Sequence, residues 1–187
     1  MRRVRIAAAA LLLVALTGCT ENALNPGDGT AAGDGQYTEW KPADRGQAAQ
    51  FDTSTVDGAS VSTAGLQGHI VVLNFWYAGC APCRVEAAKL EAVHQANPKV
   101  DFIGVNTRDG AAEAAAFEKK FGVTYPTILD ASKGDMLLAF ASVKPADATP
   151  TTIVLDTQGR VAARILGELL DKSILQSMLD TVVAESD

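Results

Sequence analysis

Apolar residues along the chain fall into alternating strand-like and helix-like segments. Residues 69–76, HIVVLNFW, form a nearly continuous apolar run, which is typical of a strand buried on both faces. Residues 100–106, VDFIGVN, show the same pattern. Between the two runs, residues 82–96 carry apolar side chains at helical spacing among charges, which predicts a helix ending near Asn97 and Pro98.

The second half of the chain continues the alternation. Residues 111–121 are strong helix formers, and Gly122 behind them is a typical helix stop. Residues 150–156, PTTIVLD, and 160–166, RVAARIL, predict two strands joined by a short turn. Residues 171–184 place their apolar side chains on one stripe, so the pattern predicts a closing helix.

Two short strand-like segments precede these elements. Residues 50–56 and 59–63 flank Asp57 and Gly58, a pair that favours a β-hairpin turn. The order of elements predicts an α/β fold in which helices cover both faces of a sheet. The chain of 187 residues is long enough for one domain with a full hydrophobic core.

Composition and charge narrow the functional classes. The chain is 48% hydrophobic and 20% charged, which is typical of a globular protein. Its formal net charge is −6, and lysine and arginine cluster only at the extreme N-terminus. Binding of phosphates requires a basic face, so we predict that the protein has no nucleic-acid partner.

The N-terminus has the pattern of an export signal. Three arginines within the first five residues precede the apolar residues 7–16, a stretch too short to span a bilayer. The sequence LTGC then ends at Cys19 and resembles the lipobox of bacterial lipoproteins, in which the cysteine is lipidated. We therefore predict a lipoprotein signal peptide over residues 1–18; the alternative is an ordinary secretory signal that contains a cysteine.

The next segment has the composition of a linker. Residues 19–47 are rich in Gly, Ala, Asn and Asp without a hydrophobic period, so we expect a flexible tether. We assign Tyr37 and Trp40 to this tether; the alternative is that they contact the domain. Residues 48–187 then form the folded domain. The export signal places this domain outside the cytoplasm, attached to the membrane by its lipid, where disulfide chemistry is meaningful.

The remaining cysteines, Cys80 and Cys83, lie between the first buried strand and its helix. Unpaired N–H groups and the positive end of the helix dipole lower the pKa of a thiol there from about 8.5. We expect Cys80 to be the exposed, attacking sulfur and Cys83 to be the more buried, resolving one. Pro82 suits a first helical turn because it lacks an N–H group.

Two other uses of this pair are weaker. Two cysteines supply half of a tetrahedral zinc site, and His69 and His94 do not have the spacing to complete it, so we predict no metal. A purely structural disulfide between Cys80 and Cys83 would close too short a loop to restrict the unfolded chain much.

Residues 51–183 resemble the thioredoxin superfamily, specifically the TlpA/ResA-like thiol-disulfide oxidoreductases. The resemblance is carried, in the order of the family, by VVLNFWYAGCAPCRVE, VDFIGVN, FEKKFGVTYPTILD, ATPTTIVLDTQGRV and LGEL. It implies a thioredoxin-like fold with a central mixed sheet and a redox disulfide that works without a cofactor. It also implies that residues 107–148 are an insertion after the second core strand that shapes the substrate groove.

The resemblance also implies how a substrate is bound. Thr149 and Pro150 match the cis-proline loop, which lies beside the CxxC motif and offers its backbone to an extended substrate chain. The alternative is a trans-proline at the start of a strand. Around the cysteines, Ala81 and Pro82 are expected to contact the substrate, and Trp76 is expected to be mainly a core residue that covers the edge of the active site.

Glu86 matches an acid that this family uses near its thiols. A general base must take the proton of Cys83 before that sulfur can attack a mixed disulfide. Thioredoxin has a buried aspartate for this task, whereas the matching position here is Asn74, which does not titrate. We therefore predict that Glu86 is the proton acceptor; the alternatives are a solvated surface acid or an acid paired with Lys89.

Together these features predict a membrane-tethered thiol-disulfide oxidoreductase. The first hypothesis is a reductase that receives electrons from a membrane partner and reduces exported proteins such as apocytochrome c. The second is an oxidase that forms disulfides in exported proteins and passes electrons to a membrane acceptor; the third is a redox-inert binding lipoprotein. A peroxiredoxin is disfavoured because Tyr77 stands where that class has Thr or Ser.

Overall fold

The structure is a computed structural model that describes residues 30–32, 36–141, 143, 146 and 148–186. The predicted signal peptide, Cys19 and the first part of the predicted tether lie outside the described residues. Within the described part of the chain, no helix is both long enough and apolar enough to cross a membrane.

Nine strands and four helices make up the described chain. The strands are β1 (Thr30–Ala32), β2 (Tyr37–Glu39), β3 (Asp52–Ser54), β4 (Ser60–Ser62), β5 (Val71–Trp76), β6 (Asp101–Asn106), β7 (Thr127–Leu129), β8 (Thr151–Leu155) and β9 (Val161–Leu166). The helices are α1 (Ala81–Ala96), α2 (Ala111–Phe121), α3 (Asp135–Ala141) and α4 (Lys172–Ala184), and Pro42–Asp44 forms a short 3-10 helix.

Seven of the strands form one mixed sheet in the order β1-β2-β9-β8-β5-β6-β7. Strands β5, β6 and β7 run parallel, whereas β8 pairs antiparallel with both β5 and β9. The other two strands, β3 and β4, form the predicted hairpin, and Gly58 takes a positive φ of 88° in its turn. The predicted mixed sheet and N-terminal hairpin are confirmed.

Helices cover both faces of the sheet, as predicted. On one face, Leu90 of α1 and Leu179 of α4 pack with Val72 of β5. On the other face, Phe140 of α3 packs with Leu73 of the same strand. Strand β5 is therefore buried on both faces, which explains its continuous apolar sequence.

The predicted end of the tether at residue 47 is wrong. Strand β2 pairs with β9 within the sheet. Trp40 is only 4% exposed, and its backbone N–H donates to the Ala162 carbonyl at 2.8 Å. Arg45 is also buried and forms ion pairs with Asp156 and Glu185. A strand of three residues has no hydrophobic period of its own, so only its pairing with neighbouring strands reveals it.

The insertion after β6 contains elements that the sequence pattern did not predict. Strand β7 adds a third parallel strand beside β6, and the side chains of Met136 and Phe140 in α3 are completely buried in the core. Helix α2 in the same segment was predicted correctly, with Gly122 as its left-handed C-cap. Thus α3 and β7 serve the core of the domain, and α2 lies beside the cysteine pair.

Candidate active site

The cysteine pair lies where β5 passes into α1. Cys80 is the N-cap of the helix, and the N–H of Cys83 donates to Cys80 Sγ at 3.1 Å. Pro82 occupies the first turn, where its missing N–H leaves no hydrogen bond unmade. The two sulfurs are joined in a disulfide with the Cα atoms 5.3 Å apart. The predicted position at the start of a helix is confirmed, and it favours a thiolate on Cys80 when the disulfide is reduced.

The expectation that Cys80 is exposed is wrong for the disulfide form. Cys80 is 3% exposed and Cys83 is 2% exposed, because both pack in a cluster with Trp76 and Phe117. The position of a cysteine at a helix N-terminus predicts the electrostatic environment of its sulfur. The burial of that sulfur depends instead on elements that pack against it from elsewhere in the chain. The N-cap position of Cys80, and not its exposure, therefore distinguishes the two sulfurs.

The Thr149-Pro150 peptide bond is cis, as the resemblance implied. It immediately precedes β8, which pairs with β5 and so brings the loop beside the cysteines. The Thr149 carbonyl oxygen lies 3.9 Å from Cys80 Sγ, and the Pro150 carbonyl accepts from the N–H of Gly167 at 2.8 Å. The loop is thereby held between the end of β9 and the disulfide.

Glu86 is completely buried one helical turn after Cys83. Its carboxylate accepts hydrogen bonds from Asn74 Nδ2 at 2.9 Å and from the backbone N–H of Leu169 at 2.8 Å. A solvated surface acid is thus excluded. Lys89 binds Glu168 Oε1 at 3.1 Å and the Leu169 carbonyl at 3.0 Å rather than the Glu86 carboxylate.

Burial raises the pKa of Glu86 to about 7, because a charged carboxylate is costly away from water. The hydrogen bonds from Leu169 and Asn74 oppose this increase, the charge of Glu168 adds to it, and the charge of Lys89 reduces it. A group with this pKa is present in both protonation states near neutral pH. Glu86 can therefore accept or return a proton beside the cysteine pair.

Asn74 connects three elements beneath the pair. From β5 its amide donates to Glu86 in α1 and to Thr152 Oγ1 in β8 at 3.2 Å. It is 5% exposed, so a charged side chain at this position would lie next to the Glu86 carboxylate. The neutral amide leaves Glu86 as the titratable group there.

The expected substrate-contacting residues divide into two groups. Ala81 is exposed, and Pro82 and Thr149 are half-buried, so these three are accessible around the cysteines. Trp76 is only 3% exposed, and its ring packs on Phe117 with the ring centroids 4.2 Å apart. Trp76 is therefore a core residue packed against the disulfide, as expected, and its contact with a substrate stays a prediction.

Asp109 was missed by the sequence reasoning. Its carboxylate accepts a hydrogen bond from the backbone N–H of Ala78, two residues before Cys80, and another from Asn106 Nδ2 at 2.8 Å. Arg84 holds the same turn from the other side, because its Nε donates to the Ala78 carbonyl at 2.8 Å. A signal was present: the sequence NTRD begins at the last residue of β6, and parallel strands end at the same edge of a sheet.

The fold is that of thioredoxin-like thiol-disulfide oxidoreductases of the TlpA/ResA type, in agreement with the predicted resemblance. The Redoxin family model matches residues 41–179, and the chain belongs to this family.

Three curated relatives illustrate the similarity. ResA of Geobacillus thermodenitrificans is 29% identical over 133 residues, which cover 70% of this chain and 74% of ResA. HelX of Rhodobacter capsulatus, a thiol:disulfide interchange protein, is 33% identical over 117 residues, 63% of this chain and 62% of HelX. The soluble secreted antigen MPT53 of Mycobacterium tuberculosis is 38% identical over 82 residues, 44% of this chain and about half (47%) of the antigen.

Solved structures share the whole domain. A DsbF homologue from Corynebacterium diphtheriae has a TM-score of 0.68 and 33% identity, covering 82% of this chain and 98% of that protein. A secreted thiol-disulfide isomerase from Corynebacterium glutamicum has a TM-score of 0.69 and 32% identity, covering 83% of this chain and 97% of that protein.

Proposed function

We propose that this protein is an extracytoplasmic thiol-disulfide oxidoreductase that exchanges disulfides with cysteine-containing exported proteins. The observation that carries the proposal is the Cys80–Cys83 disulfide at a helix N-terminus, with the cis Thr149-Pro150 bond on one side and the buried Glu86 one turn below. The relatives named as secreted support an extracytoplasmic location.

The proposed reaction begins with the reduced pair. The Cys80 thiolate attacks one sulfur of a substrate disulfide, forms a mixed disulfide with it and releases the other sulfur as a thiolate. Cys83 gives its proton to Glu86 and attacks Cys80 Sγ, which releases the second substrate sulfur. The substrate gains two electrons and ends as a dithiol, and the protein ends with the Cys80–Cys83 disulfide.

We propose that the physiological direction is reduction of the substrate. A disulfide exchanger becomes a strong oxidant when its reduced form is stabilised. Glu86 opposes this stabilisation, because its negative charge disfavours a thiolate at the nearby cysteines. A membrane electron donor would then reduce the pair again, and the disulfide of an apocytochrome c is a candidate substrate.

A second candidate direction is oxidation of exported proteins. It is favoured by the hydrogen bond from the Cys83 N–H to Cys80 Sγ and by the helix dipole, since both stabilise a thiolate on Cys80. In that case electrons would leave to a membrane acceptor.

The reduction potential of the pair decides between the two directions. We expect a value near that of thioredoxin, about −270 mV, and a value near that of DsbA, about −120 mV, would establish the oxidase instead. The measurement equilibrates the full chain with redox buffers and determines the fraction of disulfide. A chain that reduces neither insulin nor any small disulfide would support the redox-inert binding lipoprotein.

A further inference from the structure

A groove of about 300 Å³ lies near the disulfide, between the start of α1 with the turn before it and one face of α2. Its floor is apolar and consists of Ala78, Ala116, Phe117 and Phe121. A volume at the lower limit of ligand pockets fits one large side chain better than a whole cofactor or metabolite.

The groove lies close to the active site. Ala78 precedes Cys80 by two residues, so its Cα lies within about 7 Å of the Cys80 Cα. Hydrogen bonds from Ala78 to Asp109 and from Arg84 to Ala78 fix this turn on both sides. A polypeptide linked to Cys80 through a mixed disulfide therefore passes the groove within a few residues of its own cysteine.

The rim of the groove carries more positive than negative charge. Arg84 and Lys120 line it together with a single acid, Glu113, although the whole chain has a net charge of −6. Lys120 Nζ lies 5.4 Å from the centre of the Phe121 ring, so this cation sits against the apolar floor. In charge, such a rim is complementary to an acidic residue of a bound polypeptide, next in sequence to the residue whose apolar side chain enters the groove.

We propose that this groove binds an aromatic side chain of the substrate protein, next to an acidic residue and close to the cysteine that is exchanged. The proposal rests on the proposed function and defines the substrate class for that site. The aromatic ring fills the space over Phe117 and Phe121, and the carboxylate of the adjacent residue lies between Arg84 and Lys120.

The test uses the reduced full chain and a panel of peptides, each with one cysteine in a mixed disulfide with glutathione. A Phe-Glu pair is placed at successive positions on either side of the cysteine, and matched peptides carry Ser-Ser or Phe-Lys instead. Cys80 attacks the peptide sulfur and releases glutathione, and Cys83 then releases the peptide thiol. We expect the best Phe-Glu peptide to react about fivefold faster than its Ser-Ser counterpart.

Two pairs of variants on α2 provide matched controls. Ala116→Leu fills the groove and Lys120→Glu reverses its rim charge, whereas Ala115 and Lys119 are exposed neighbours outside the groove. The ratio of rates for the Phe-Glu and Ser-Ser peptides should fall towards one in both groove variants. It should stay at the wild-type value in Ala115→Leu and Lys119→Glu.

The Phe-Lys peptides distinguish the contribution of the aromatic side chain to binding from that of the adjacent charge. Lys120→Glu should make Phe-Lys the preferred pair, whereas Ala116→Leu should reduce the preference for both aromatic peptides. A wild-type chain without any Phe-Glu preference, or a preference that survives both groove variants, would overturn the inference. Glutathione disulfide serves as a separate substrate: if it is also not reduced, the proposed function itself is wrong, whereas its reduction without peptide preference contradicts the groove alone.

Discussion

The backbone N–H of Leu169 donates a hydrogen bond of 2.8 Å to the buried Glu86 carboxylate. This contact joins α1 to the loop after β9 across 83 positions of sequence. Leu169 binds one carboxylate oxygen and Asn74 binds the other. Protein groups, and not solvent, therefore hold the carboxylate one helical turn after Cys83.

Replacing Glu86 by Gln should slow resolution of the mixed disulfide about fivefold at neutral pH, since the variant lacks a proton acceptor for Cys83. The effect should be smaller than the usual loss for a general base because thiols are already fair acids. Removing the negative charge should also lower the pKa of the Cys80 thiol. Single-turnover exchange and pH-dependent alkylation of Cys80 measure both effects, with Glu91→Gln on the same helix as control.

The same variant should change how stability depends on pH in the disulfide form. Folding raises the pKa of Glu86 from 4.5 to about 7, so the folded state holds its proton more tightly than the unfolded state. The free energy of unfolding should therefore fall by ~3 kcal/mol between pH 4.5 and 7, with full stability on the acid side. Denaturant titrations across this range should show that the free energy of unfolding of Glu86→Gln depends less on pH. If both proteins have the same pH dependence and the same exchange rates, Glu86 has no role in proton transfer.

Lys89 and Glu168 should shift the titration of Glu86 in opposite directions. Glu168→Gln removes a negative charge and should lower the pKa of Glu86, whereas Lys89→Met removes a positive charge and should raise it. The midpoint of the pH profile for mixed-disulfide resolution reports the pKa in both variants. Lys89 also binds the loop that contains Leu169. If both midpoints move in the same direction, a displacement of this loop, and not the change in charge, determines the pKa of Glu86.

The two cysteines should have different roles in exchange. Cys80→Ser should abolish exchange because the N-cap thiolate is lost, whereas Cys83→Ser should leave an attacking thiol that accumulates mixed disulfides with substrate proteins. Non-reducing electrophoresis of extracts detects these adducts. Faster alkylation of Cys83 than of Cys80 in the reduced protein would reverse the assignment.

Cys19 should carry the lipid that attaches the protein to the membrane. Labelling of cells with a radioactive fatty acid should mark the wild type, and Cys19→Ala should lose both the label and the retention in the membrane fraction. Release of an unlabelled wild-type protein into the medium would instead indicate an ordinary secretory signal.

A chain that begins at residue 30 should fold and exchange disulfides, whereas one that begins at residue 48 should be less stable by about 3 kcal/mol or more. The shorter chain lacks β2 and the buried Trp40, and loss of a buried tryptophan side chain alone costs roughly that much. It also leaves the buried Asp156 without Arg45. Denaturant unfolding of both chains, with Trp40→Ala in the longer one, measures the contribution; equal stabilities would mean that residues 30–47 do not support the fold.

Local sequence patterns were enough to identify the elements that carry a strong periodic signal. The apolar runs of β5 and β6 and the helical spacing of α1 identify those elements wherever they pack, because each run is long enough to show its period. The CxPC motif at a strand–helix junction likewise indicated the redox pair, and the resemblance carried by short motifs implied the cis-proline at Thr149-Pro150. These features are encoded within a few consecutive residues.

Tertiary structure alone decided which side chains the site buries and which distant groups they meet. Glu86 became a buried acid with a raised pKa because Asn74 and the Leu169 loop close around it, and no local pattern contains that contact. Strands β2 and β7 have three residues each, and they form only because they pair with β9 and β6, respectively. Local periodicity reports which face of an element is apolar, whereas burial and hydrogen-bond partners depend on the packing of segments far apart in the chain.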